Sequence, residues 1–108
     1  MGKLFYGTSG DAFEFDDRLL AHVTAVTTTK LRRSESFTLT WDHDGRRSTI
    51  WIQPAIAMRF VYDRSEAIVL DQTMLQDMAA RASSTSGLVV TAAMLRALAA
   101  SVAPAAAA

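Results

Sequence analysis

The feature that most constrains this chain is a pair of alternating segments on either side of a short polar break. In residues 36–41, Phe37, Leu39 and Trp41 fall on one side and Thr38 and Thr40 on the other. That is the period-two pattern of a strand with one buried face. Residues 48–52 read as the returning strand, and Asp42-His43-Asp44-Gly45 between them reads as the turn, with glycine supplying a positive φ. An isolated two-stranded ribbon is marginal in water. The rest of the chain must therefore supply elements that cover the apolar face of this hairpin.

Those elements can be traced from the same periodicities. Residues 3–6 are a short aromatic run, Gly7-Thr8-Ser9-Gly10 is a turn signal, and residues 11–15 alternate around Phe13 and Phe15. Together they predict an N-terminal hairpin. Leu20, Val23, Thr27 and Leu31 recur at helical spacing across 18–33, with acidic Asp16 and Asp17 before them and Lys30, Arg32 and Arg33 at the end. This charge distribution complements a helix macrodipole, which outweighs the β-branched run Thr27-Thr28-Thr29. Pro54 interrupts the strand ladder, and Ile56, Met58, Phe60 and Tyr62 predict a further strand. Asp71 is a candidate N-cap for a second helix with Met74, Leu75, Met78, Ala79 and Ala82 on its apolar face. After the polar break at 83–87, residues 88–90 predict a last short strand, and Thr91 caps a third helix through about Ala100. The expected fold is α+β: a mostly antiparallel sheet of about five strands with two or three helices packed on one face. Residues 1–103 are expected to form this single domain, with 104–108 a frayed alanine-rich tail.

Composition narrows the function classes. Lysine plus arginine and aspartate plus glutamate each number 11, giving zero formal charge, so the overall field does not favour polyanions. With no cysteine, the chain has no disulfide, thiolate nucleophile or cysteine-ligated metal, which fits a cytoplasmic location. Neither a secretory signal pattern nor a membrane-spanning run is present.

The chemical signals are sparse. Asp42, His43 and Asp44 resemble a metal-ligand cluster, but aspartates on an exposed turn are accounted for by bonding to nearby backbone N–H groups. His22 stands at the border of the first helix's apolar stripe without an evident acid or nucleophile beside it in sequence. The Gly7–Gly10 turn lacks the lysine and following helix of a phosphate loop. No catalytic residue, cofactor or metal is expected. Lys30, Arg32, Arg33, Arg46 and Arg47 are candidate polyanion contacts, although the two arginine pairs flank a strand that separates them by roughly 20 Å. Trp41 and Trp51, on facing strands, are expected to pair across the hairpin or in the core. With Phe5, Phe13 and Phe15 they form the candidate interaction surface wherever they are exposed.

Four segments resemble, in order, a family of short actinobacterial proteins of unknown function: residues 1–7, 15–22, 30–37 and 45–54, the last reading Gly-Arg-Arg-Ser-Thr-Ile-Trp-Ile-Gln-Pro. Members of that family are often labelled ATP-dependent DNA ligase. Such a ligase requires a lysine nucleophile in a Lys-x-Asp-Gly-x-Arg arrangement. Here Asp42 stands where the lysine must be, in Asp42-His43-Asp44-Gly45-Arg46-Arg47, so no covalent adenylate can form there. The sequence predicts a non-catalytic protein–protein interaction module that pairs with itself or another protein. The alternative is an accessory protein that holds nucleic-acid phosphates through its arginines.

Overall fold

The computed structural model describes residues 1–8 and 10–107, with side chains through Ala100. In chain order its elements are β1 (Gly2–Tyr6), β2 (Ala12–Phe15), α1 (Asp17–Arg32), β3 (Phe37–His43), β4 (Arg46–Ile52), β5 (Met58–Val61), α2 (Gln72–Ala82), β6 (Leu88–Val89) and α3 (Ala92–Ala107). The class is α+β, as expected. The strands, however, divide between two three-stranded sheets, ordered β2-β1-β5 and β4-β3-β6. All pairings are antiparallel except β3 with β6.

The division follows from where Pro54 falls. A residue without a backbone N–H cannot extend the ladder, so β4 ends at Ile52 and the chain leaves its sheet. It then pairs β5 with β1, where Leu4 meets Phe60 and Tyr6 meets Met58. This third strand gives the N-terminal hairpin the width that a lone ribbon lacks. The turn between β3 and β4 is tighter than the sequence predicts. Only Asp44 and Gly45 lie in it, both with positive φ (52° and 72°), the two-residue geometry whose twist matches a hairpin. Asp42, His43 and Arg46 thus belong to the strands. Ser9, in the turn expected at 7–10, lies outside the described residues.

Helix α1 is capped by Asp16, whose carboxylate accepts from the backbone N–H groups of Arg18 and Leu19 at 2.9 and 3.2 Å. Its threonines are accommodated because Thr24, Thr28 and Thr29 donate their hydroxyls to the carbonyls one turn earlier. Thr27 is the exception, a buried hydroxyl with no partner among the described residues. The N-terminal end of α1 lies so close to β1 that a Cβ on Gly2 would come within 2.6 Å of an Asp17 carboxylate oxygen, so only glycine fits there.

His22 is fully buried and has both ring nitrogens engaged. Nδ1 lies 2.7 Å from the Arg18 carbonyl, and Nε2 accepts the Asp71 N–H at 2.8 Å. A carbonyl can only accept and an amide N–H can only donate, so these partners fix a neutral ring protonated at Nδ1. The partner that the sequence did not reveal is a backbone amide 49 positions away. Asp71 is also the N-cap of α2, accepting from Met74 N–H at 3.0 Å. One imidazole therefore ties the middle of α1 to the start of α2. Helix α3 begins at the Thr91 cap and continues past Ala100 and Pro104 to Ala107, while Ala108 of the expected tail lies outside the described residues. No described helix is long and apolar enough to cross a membrane.

Trp41 joins the two sheets. From β3 it packs edge-on against Phe13 and Phe15 of β2, with ring centroids 4.9 and 5.3 Å apart. It is only 6% exposed. Replacing it with alanine removes both aromatic contacts and opens a cavity between the sheets. Trp41→Ala is expected to lower the unfolding free energy by about 3–5 kcal/mol, whereas Trp51→Ala stays within about 0.5 kcal/mol of the unsubstituted protein. Urea unfolding followed by circular dichroism measures both.

Candidate functional site

The aromatic residues proposed from sequence do not form one surface. Phe15 and Trp41 are buried in the core and Phe13 is packed against Trp41. Phe5 lies on the opposite face of the N-terminal hairpin, opposite Ala12 in register, with the Arg59 guanidinium 4.5 Å above its ring. Trp41 and Trp51 are not a cross-strand pair. Trp41 is opposite Ser48 and Trp51 is opposite Thr38, so the two indoles point to opposite faces of the sheet. Only Trp51, 56% exposed, is presented to solvent. The alternation of residues 37–41 fixed the inward face of β3. It could not say that the register places the second tryptophan one position out of phase.

The strand that carries Trp51 is an edge. Among the described residues β4 pairs with another strand on one side only, β3. The two-residue turn makes His43 and Arg46 the first hydrogen-bonded pair. Ser48, Ile50 and Ile52 repeat that pairing at every second position. The backbone N–H and C=O groups of Arg47, Thr49 and Trp51 therefore point away from β3. Two contacts agree with this phase. The Thr40 carbonyl, opposite Thr49, turns the other way and accepts from Val90 N–H at 2.8 Å. The Trp51 carbonyl, on the outer edge, accepts from the Tyr6 hydroxyl. Burial raises the Tyr6 pKa above its ordinary value, so this donor stays protonated well past neutral pH.

The side chains along the edge are exposed and polar apart from the indole. Arg47, Thr49 and Trp51 share the outer face, where the Thr49 and Thr40 hydroxyls are 2.8 Å apart. Beside Trp51 lies an open groove of about 410 Å³, rimmed by Ser36, Thr38, Ser83 and Thr85. A second hollow, about 570 Å³, brings His43 near Glu14, Asp16, Asp42 and Arg47. It lacks the marks of a catalytic centre. The side chain of His43 is 71% exposed and lies 3.1 Å from that of Asp44, which is more exposed still. The Asp16 carboxylate is occupied as the cap of α1. No group of three or more histidine, aspartate or glutamate residues among those described could hold a metal ion.

The five proposed cations also separate. Lys30 is 9% exposed, and its ammonium donates to Ser83 Oγ at 2.6 Å and Glu35 Oε1 at 3.2 Å. It links the ends of α1 and α2 and is not available to a phosphate. Arg32 and Arg33 are exposed at the end of α1, and Arg46 and Arg47 at the far end of β3. The seven-residue strand between them holds the pairs roughly 20 Å apart. Lys30→Ala would remove both hydrogen bonds and a buried stem, lowering stability by about 1–3 kcal/mol. Arg33→Ala should remain within about 0.5 kcal/mol, and thermal unfolding of both variants distinguishes the structural cation from the surface one.

No curated protein and no solved structure matches this chain. A family model does: the domain of unknown function DUF7882 matches residues 1–93. That span takes in both sheets, α1, α2, the β4 edge with Trp51 and the first residues of α3. The chain belongs to the DUF7882 family, a domain of unknown function.

Proposed function

We propose that this protein is a non-catalytic interaction module that self-associates through the outer edge of β4. One observation carries the reading. A seven-residue strand turns outward the backbone donors and acceptors of Arg47, Thr49 and Trp51, of which the Trp51 carbonyl already accepts from Tyr6, and the large apolar side chain beside them, Trp51, is 56% exposed. Unpaired edges are templates for another strand, and a surface tryptophan next to such an edge supplies apolar area that backbone pairing lacks.

The other edges offer less. β2 and β5 are four residues each and β6 is two. In β2 the aromatic side chains are turned into the core. Phosphate binding through Arg32, Arg33, Arg46 and Arg47 is less well supported, because Lys30 is engaged internally and no fold element gathers the two arginine pairs. Catalysis at the His43 hollow lacks a desolvated acid or base.

Edge pairing with one indole at each end is a small contact, so the association is weak and concentration-dependent. Sedimentation velocity should show the weight-average coefficient rising from dilute to millimolar protein. Thr49→Pro removes the central outward N–H at an edge position where proline fits a strand, and should remain monomeric with an unchanged circular dichroism spectrum. A monomer at every concentration, in the unsubstituted protein, overturns the proposal.

A further inference from the structure

The β4 edge carries more than an offer of hydrogen bonds, because its sequence is self-complementary in one register. We infer that two copies pair their β4 strands antiparallel about a two-fold axis at Thr49, so that Arg47 of each copy lies over the Trp51 indole of the other. This rests on the self-association proposed above and specifies its geometry.

The register follows from the strand's own limits. Backbone pairing requires outward-facing residues to meet outward-facing residues, which restricts the partners to Arg47, Thr49 and Trp51. Five symmetric arrangements satisfy this, with the axis at residue 47, 48, 49, 50 or 51, and those at 47 and 51 overlap only three residues of the strand. An axis at Ser48 places Trp51 opposite Gly45, which lies in the turn with φ 72° and has no side chain to meet the indole. An axis at Ile50 places Arg47 opposite Gln53, beyond the end of the strand. Only the axis at Thr49, the midpoint of Arg46–Ile52, overlaps the strand over its full length.

That register also matches the chemistry. Residues directly opposite in an antiparallel pair share a face and approach to about 5.5 Å between Cα atoms when hydrogen-bonded. Arg47 and Trp51 both lie on the outer face of the sheet. Each guanidinium is exposed and, among the described residues, has no ion pair or ring contact of its own. The indole opposite is the best aromatic acceptor for a cation. The arrangement occurs twice by symmetry and never opposes arginine to arginine. The Trp51 carbonyl accepts from Tyr6 and retains a second lone pair for the partner's Arg47 N–H.

The protein has no cysteine, so a single introduced thiol can form a disulfide only between copies. Ser48→Cys, Thr49→Cys and Ile50→Cys each report one of the three axes that overlap most of the strand. A residue on the axis meets its own copy within the Cα separation that a disulfide spans, about 4.4–6.8 Å. Under mild oxidation Thr49→Cys should give a covalent dimer at least ten-fold faster than Ser48→Cys, Ile50→Cys or the exposed control Val69→Cys. Arg47→Glu should weaken the dimer at least ten-fold in sedimentation, and Arg47→Lys should retain most of it. If the unsubstituted protein dimerises but Ser48→Cys or Ile50→Cys cross-links fastest, the register is overturned and self-association stands. If Arg47→Glu dimerises as well as the unsubstituted protein, the cation–indole contact is overturned. A protein that is monomeric throughout overturns both the register and the self-association on which it rests.

Discussion

The structure depends on the contact that Trp41 makes across two sheets. Each sheet has three strands, and neither is wide enough to bury its apolar face alone. Trp41 fills the junction from β3 while Phe13 and Phe15 meet it from β2 with the edge-to-face geometry that aromatic quadrupoles favour. Leu4, Leu39, Ile52 and Leu88 complete the core around it, all fully buried. Because the inward face of β3 is committed to this junction, the register of the β3–β4 hairpin leaves Trp51 on the other side. The buried tryptophan and the exposed one are consequences of the same strand pairing.

Two polar contacts hold the helices in the positions this core requires. His22 joins α1 to the start of α2, and Lys30 joins their C-terminal ends through Ser83 and Glu35. Both are residue types that sequence inspection draws towards chemistry, an imidazole and an ammonium. Burial with complete or near-complete hydrogen bonding makes them structural instead. What remains at the surface is an edge strand, two separated arginine pairs and an indole, which are the materials of an interface.

Much of this fold was legible from local pattern. Period-two runs identified β2, β3 and β5, the acidic pair Asp16 and Asp17 marked the start of α1 and the Asp71 cap that of α2, and glycine at position 45 marked the hairpin turn. Properties decided by pairing over long distances were not legible. Nothing in residues 56–62 indicates that β5 will choose β1 over β4, and nothing near His22 points to the amide of Asp71. The same limit applied to the surface. Five aromatics were candidate interaction residues from composition and alternation, and only the tertiary packing separated Trp51 from Phe13, Phe15 and Trp41, which join the core, and from Phe5, which lies under Arg59. The exact hairpin register required the length of the turn, which Asp44 and Gly45 set.

Amide hydrogen exchange at low and high protein concentration tests most directly whether β4 is the surface through which the protein assembles. Ser48, Ile50 and Ile52 donate to β3 and should exchange slowly at both concentrations. Arg47, Thr49 and Trp51 face outward and should become protected only as concentration rises, giving an alternating pattern along one strand. Concentration-independent exchange at those three amides, or new protection confined to β2 or β5, would contradict the account.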